Sequence, residues 1–341
     1  MTSNTSSENL YEMATAFGRG ENANAASMRD VFLQLIESED VAAIQALLIA
    51  WAKKGYTSVE IAECAQILRN RCIKSKLRNS KLIDIVGSGG SQVKTFNVST
   101  AAAFVVAACG IPVAKHGNRA ATSSSGAADV LSELGLVFAK DAVTASNELE
   151  RFGITFMFAP YFHSLKRELA IARTQIKTPT IFNILGPLAN PAGVEFQLTG
   201  IWNREILVNV AEAIKLLGTK RTLLVHGKDG LDEISPFAVT FAAEISAEGI
   251  SQFEIKAPKE LQHLSESPKK HTPQESAMKI RRIFNGELYD TYEESAVILN
   301  AGYAIAIAES LNPEEGIDFA RETIRKGGAQ SKLDEYLQGV K

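Results

Sequence analysis

An α/β fold with a separate helical lobe is predicted by three observations in this sequence. From Leu82 onward, short β-rich runs alternate with helical stretches, the mark of a mainly parallel sheet covered by helices. Between Met28 and about Ser75, apolar residues recur at helical spacing. Two polar, flexible stretches, Gly87–Thr100 and Lys115–Gly126, each follow an apolar run and flank a helix-length apolar segment.

The elements follow in chain order. Residues 1–26 are polar and lack both a basic leader and an apolar core, so they read as a mobile N-terminal tail. Residues 27–80 read as a helical domain of three or more helices, with apolar positions Val31, Phe32, Leu35 and Ile36, then Ile44, Leu47, Leu48 and Trp51, then Ile61, Ala65 and Leu68. Thr57 and Glu60 have the spacing that satisfies exposed amides at the start of the third. The basic run Arg69–Lys81 reads as a solvated connection to residues 81–341, the larger α/β domain. Its strands are LIDIV, IPVA, QLTGIW and RTLLVHG, with helices over TAAAFVVAAC, Ala127–Leu134 and Arg204–Leu217. A stretch from about residue 163 to 192 reads as a second piece of the helical domain.

At 341 residues and 45% hydrophobic content, the chain can bury a large core. The 39 acidic and 36 basic residues leave a net charge of -3, so nothing in the overall balance favours nucleic acid or an anionic membrane as a partner. An anion site must be local. Cys64, Cys72 and Cys109 lie in hydrophobic contexts without CxxC spacing, which fits buried thiols in the cytoplasm better than disulfides or a zinc site. The longest apolar run, Ala101–Ala114, is broken by Gly110 and Pro112 and is too short to span a bilayer.

The two polar stretches suit a ligand with several phosphates. LIDIV delivers the chain into Gly87, Ser88, Gly89 and Gly90, where small residues let backbone N–H groups reach an anion. Gln92 breaks the G-x-G-x-x-G spacing and there is no GK[ST], so the common nucleotide loops are disfavoured. Asn97, Ser99 and Thr100 open an apolar helix whose positive end would face the loop, and they also read as simple helix caps. The second stretch sets Lys115, His116, Asn118 and Arg119 after a buried-looking strand, followed by Thr122, Ser123, Ser124 and Ser125. In HGKDGLDEIS, Asp232 and Glu233 follow a strand end and suit a hard cation completed by water and phosphate oxygens, though an acidic pair alone also reads as a solvated turn. Arg173, alone on its helix, has a surface role as its plainest reading.

DIVGSGG, TFNVSTAAAF, KHGNR, IFNILGPLANP, GLDEIS and VILNAGYA stand in the order seen in anthranilate phosphoribosyltransferases, which the chain resembles from about Met28 to its C-terminus. The resemblance implies a fold of the nucleoside phosphorylase/phosphoribosyltransferase type. It also implies transfer of the phosphoribosyl group of 5-phosphoribosyl-1-diphosphate to the amine of anthranilate, with magnesium (Mg2+), in the tryptophan pathway, by a homodimer joined through its helical lobe. Association with a glutamine amidotransferase subunit is left open.

By position, the resemblance assigns the donor to Gly87, Gly90, Ser91, Thr95, Asn97, Val98, Ser99, Thr100, Lys115, His116, Gly117, Asn118, Arg119, Ala120, Ala121, Thr122, Ser123 and Ala127. Ser99, Asp232 and Glu233 would hold magnesium, and Lys115 and Glu233 would be the catalytic residues. Gly87, Asn118 and Arg173 would hold anthranilate, the arginine facing its carboxylate, with His116, His163 and Pro187 lining the pocket or its route. Two departures stand out. Ser91 occupies the place of a common aspartate in GTGGD, and TQIKTPT after Arg173 departs from the usual segment while keeping the spacing. Two rivals, a pyrimidine nucleoside phosphorylase and a nucleic-acid-binding relative, fit less well: KHGNR and GLDEIS speak against the first, the acidic balance and acidic pair against the second.

Overall fold

The computed structural model describes residues 2–75, 81–91, 93, 95–119, 126–258 and 270–340. Four helices open the chain: α1 (Thr2–Gly18), α2 (Ala25–Glu37), α3 (Val41–Lys54) and α4 (Ser58–Arg71). The expectation of a mobile tail over residues 1–26 is overturned by α1. Its composition is polar, yet Leu10 and Phe17 lie seven residues apart on one face and both are buried. Phe17 stacks on Trp51 with ring centroids 5.4 Å apart, Lys54 Nζ lies 4.9 Å from the Phe17 ring centroid, and Ala23 N donates to Glu60 Oε1 at 3.0 Å. The Thr57–Glu60 capping box forms as the spacing predicts.

The α/β region runs β1 (Ile83–Gly87), α5 (Val98–Ala108), β2 (Val113–Gly117), α6 (Ala127–Glu133), α7 (Ala142–Phe152), β3 (Ile154–Phe158), α8 (Ala159–Phe162), α9 (Arg167–Gln175), α10 (Ile181–Leu188), β4 (Phe196–Gly200), α11 (Leu207–Leu217), β5 (Arg221–Gly227), β6 (Thr240–Ser246) and β7 (Gly249–Ile255). Helices α12 (Pro273–Phe284), α13 (Tyr292–Glu309), α14 (Pro313–Arg325) and α15 (Gly328–Gly339) close the chain. The seven strands are ordered β3-β2-β1-β4-β5-β6-β7. The first five are parallel, and β6 and β7 continue antiparallel. Strands β3, β6 and β7 are additions to the four expected runs. Strand β2 extends past IPVA, so Lys115 and His116 are buried strand residues rather than the start of a loop.

Alternation along the strands sends apolar side chains to both faces. Ile83, Ile85, Val113, Ile154, Phe156, Leu198, Leu223 and Val225 share one core with α5, α12, α13 and α15. On the opposite face, Leu224, Ala243 and Ile245 join the cluster of α1–α4, α9, α10 and α11. The helical pieces before residue 72 and around residues 169–189 therefore pack in one core. The chain leaves β1 toward β2 on one side and enters β4 on the other, so the sheet changes direction at the β1–β4 seam. Crevices at such points, beyond the carboxyl ends of the strands, are where open α/β sheets bind ligands.

Candidate active site

Four strands end in glycine at that edge: Gly87, Gly117, Gly200 and Gly227. Gly87 and Gly200 are register partners on β1 and β4. A Cβ on Gly200 would overlap the Asp232 carbonyl, and one on Gly87 would sit 2.8 Å from Asp232 Oδ2. Only residues without side chains let the acidic loop lie this closely across the strand ends. Gly89 and Gly90 have φ of 67° and 83°, the left-handed region that suits glycine.

Beyond this edge lies a cavity of about 490 Å³ between the strand ends and the helices α9 and α10. Most of the expected site residues meet on its wall: Gly87, Thr95, Asn97, Val98, Ser99, Lys115, His116, Gly117, Asn118, Arg119, Ala127, His163, Arg173, Pro187, Asp232 and Glu233. Three do not. Gly90 packs toward the Pro179 ring, and Thr100 is fully buried on the first turn of α5. Ser91 Oγ lies 2.6 Å from both Val93 O and Gly230 O, tying the glycine loop to the loop that precedes Asp232. Ala120, Ala121, Thr122 and Ser123 lie outside the described residues.

The donor side of the cavity combines cation, hydroxyls and carboxylates. Lys115 is 2% exposed, and its Nζ donates to Ile85 O and, at 3.3 Å, to Ser99 Oγ. Burial lowers its pKa to about 8, opposed by the charge of Asp84. Asp84 is itself raised to about 6 by burial, opposed by Lys115 and by Asn190, whose Nδ2 donates to Asp84 Oδ2 at 2.8 Å. Asp232 Oδ2 accepts from Gly89 N at 3.0 Å, and Glu233 Oε1 accepts from Thr95 Oγ1 at 3.0 Å. The acidic pair thus faces the same amides and hydroxyls that a phosphate would use. Among the described residues, no three His, Cys, Asp or Glu side chains converge on one point. Few protein oxygens beside an open anion site fit magnesium, which completes its shell from water and ligand oxygens.

The opposite side, formed by α9 and α10, is more apolar; Lys166, Arg167 and Arg173 reach it, and Lys166 is paired with Glu39. Arg173 is half-buried on α9, its guanidinium 5.0 Å from the Phe182 ring centroid. It makes no hydrogen bond or ion pair among the described residues, and burial lowers its pKa to about 10. A desolvated guanidinium without a counter-ion beside an aromatic face suits a planar aromatic carboxylate. His116 and His163 stand with ring centroids 5.1 Å apart. Neutral His116 donates from Nδ1 to Gly186 O at 3.1 Å, and burial, then the neighbouring His163, push its pKa down to about 3. Burial lowers His163 as well.

Among the wall residues without a sequence-derived role, three hold the site together. Asn183 donates from Nδ2 to Ser88 O at 3.3 Å and so joins α10 to the glycine loop. Gly200 makes room for the Asp232 backbone. Asn300 of α13 hydrogen-bonds the backbone of Ile234. Asn183 and Asn300 both stand in stretches the resemblance uses, IFNILGPLANP and VILNAGYA, where a polar residue among apolar ones was the available signal.

A glycosyl transferase family, a/b domain, matches residues 79–330. An anthranilate phosphoribosyltransferase of Persephonella marina is 37% identical over 340 residues, covering 97% of this chain and 99% of its own. The enzyme of that name from Aquifex aeolicus is 35% identical, covering 97% and 98%. The chain belongs to the anthranilate phosphoribosyltransferase family. Among solved structures, the family member from Thermus thermophilus superposes with a TM-score of 0.83 at 33% identity, covering 96% of this chain and 98% of its own. The family member from Saccharomyces cerevisiae, solved in complex with PRPP and Mg, gives 0.85 at 25% identity, with 97% of each chain covered.

Proposed function

We propose that this chain is an anthranilate phosphoribosyltransferase. It joins the amino nitrogen of anthranilate to C1 of 5-phosphoribosyl-1-diphosphate, breaking the C1–oxygen bond and releasing pyrophosphate and the amine's proton. The observation that carries this reading is the pairing in one cavity of a glycine loop, Lys115 and an acidic pair on one wall with, on the other, the Arg173 guanidinium, which has no counter-ion among the described residues. One wall suits a polyphosphate with a divalent cation, the other an aromatic acid.

The residues divide the work. Amides of the glycine loop and the start of α5 bind the phosphates, and protonated Lys115 neutralises charge on the departing diphosphate. Ser99, Asp232 and Glu233 would hold magnesium, which when bound supplies positive charge to the leaving group. Arg173 fixes the acceptor by its carboxylate, and the neutral pair His116–His163 lines the aromatic side without adding a competing charge. Anthranilate's amine is a weak nucleophile because its lone pair is shared with the ring. Positioning it against a developing positive charge at C1 is therefore the main source of acceleration. No nucleophilic side chain is needed.

The same reading makes the enzyme a homodimer of the tryptophan pathway in the cytoplasm, where the free thiols Cys64, Cys72 and Cys109 are stable. No described helix is long and apolar enough to cross a membrane. The test is anthranilate fluorescence followed with protein, magnesium and phosphoribosyl diphosphate, omitting one component at a time. Loss of signal only in the complete mixture is expected; no consumption in the complete mixture overturns the reading.

A further inference from the structure

Helix α13 is buried nearly throughout, and most of its length is Ala, Ile, Leu and Val. Asn300 interrupts it with a 3% exposed carboxamide. Its Oδ1 accepts from Ile234 N at 3.0 Å, while its Nδ2 donates to Ile234 O at 3.0 Å and to Ala296 O at 2.9 Å. Both polar groups of one residue's backbone are therefore held by the two ends of a single side chain. Ile234 directly follows Asp232 and Glu233, and Asn300 itself reaches the cavity wall.

The rest of this loop is tied at its ends. Gly227 N donates to Leu231 O at 2.9 Å, Ser235 N to Thr240 Oγ1 at 3.0 Å, and Ser235 Oγ to Asp229 Oδ2 at 2.5 Å. The first of these bonds ties the loop to the end of β5, the second to the start of β6, and the third lies within the loop, while Ser91 Oγ holds Gly230 O from the glycine loop. The carboxamide of Asn300 joins the loop at the acidic pair to a separate element, 66 residues away in sequence. The peptide after Glu233 decides which way the Asp232 and Glu233 side chains project, so its anchor sets where they meet a ligand.

We infer that Asn300 is a positioning residue for the acidic pair: it holds the backbone at Ile234 so that Asp232 and Glu233 face the donor pocket together. The inference rests on the proposed reaction. Outer partners that orient metal ligands lose about 10- to 100-fold in metal affinity or activity when removed. Arg173 belongs to a different element and should not register the change.

The test uses the full chain with Asn300→Ser and Asn300→Asp. The serine shortens the reach, and the aspartate keeps an acceptor for Ile234 N while losing the donor. Asn209→Ala is the control, because Asn209 Nδ2 donates to Tyr56 O in the other core, away from the site. Mn2+ binding in the presence of phosphoribosyl diphosphate is read by electron paramagnetic resonance of the free ion. Turnover kinetics and thermal melting accompany it.

In both Asn300 variants the Mn2+ dissociation constant should rise by about 10- to 100-fold, with the anthranilate KM unchanged, whatever the fall in melting temperature. In the control, Mn2+ binding should equal that of the parent. A variant that melts lower but binds Mn2+ as the parent does would make Asn300 merely structural and overturn the inference, as would an equal rise in the anthranilate KM. If one variant does not fold, the other decides. Absence of magnesium-dependent turnover in the parent would instead overturn the proposed reaction.

Discussion

Replacing Arg173 by alanine tests the acceptor wall directly. The guanidinium is half-buried, lies 5.0 Å from the Phe182 ring centroid and has no counter-ion among the described residues. The fold has therefore desolvated a cation without compensating it, and an incoming carboxylate supplies the missing partner. A hydrogen bond to a charged group contributes about 1.5 to 3 kcal/mol. At about 1.4 kcal/mol per factor of ten, Arg173→Ala should weaken anthranilate binding by about 10- to 150-fold. The donor pocket lies on the other wall, so its affinity should hold. Calorimetric titration of each substrate separates the two effects. An acceptor analogue with hydrogen in place of the carboxylate should bind parent and variant within about twofold, because the interaction removed is absent from both. An unchanged anthranilate KM in the variant, or an equal loss with the neutral analogue, would refute the assignment.

Three other perturbations follow from the same geometry. Glu233→Ala should reduce magnesium-dependent turnover by more than about 100-fold, beyond the usual effect of an outer-shell partner, with the melting temperature preserved; a magnesium titration superposing on that of the parent would refute it. Gly200→Ala drives a methyl into the Asp232 carbonyl and should cost about 1 to 3 kcal/mol in chemical denaturation together with most of the turnover. Parent-like stability and rate would refute that. His116 has a folded pKa near 3 against about 6.5 unfolded, so its contribution is complete above pH 6.5 and is lost as pH falls toward 3, at about 1.4 kcal/mol per pH unit. Asp84, raised to about 6, acts in the opposite sense as pH falls from 6. The measurement is therefore the stability difference between parent and His116→Gln, which should shift steadily toward the variant below pH 6.5. A difference that stays constant to pH 4 would refute the neutral, buried histidine.

Much of the fold was legible because its signals are local. Alternation and turn chemistry located β1, β4 and β5, and Thr57 with Glu60 marked the start of α4. The helix α1 was missed because its polar composition hides two buried positions, Leu10 and Phe17, and the value of Phe17 depends on Trp51 and Lys54, far along the chain. Strand β3, ITFMF, is a short run apolar except for Thr155, which periodicity alone does not separate from a buried helix. Lys115 and His116 have weak claims to a strand on propensity, and tertiary context carries β2 through them. The site shows the same division. Glycines, lysine and acids announced a phosphate pocket in single stretches, and the resemblance supplied Arg173. The anchors Asn183, Gly200 and Asn300 act on partners distant in sequence, so only the folded chain reveals them.

The apolar surface of the first four helices is continuous with one face of the sheet, through Leu224, Ala243 and Ile245. The opening segment is therefore a buttress and not a detachable module. A chain begun at residue 81 would keep its glycine loop, Lys115 and acidic pair but turn that greasy flank to water, an invitation to clumping. Change in such an enzyme is open at the rims of its crevice, while its two halves must travel together.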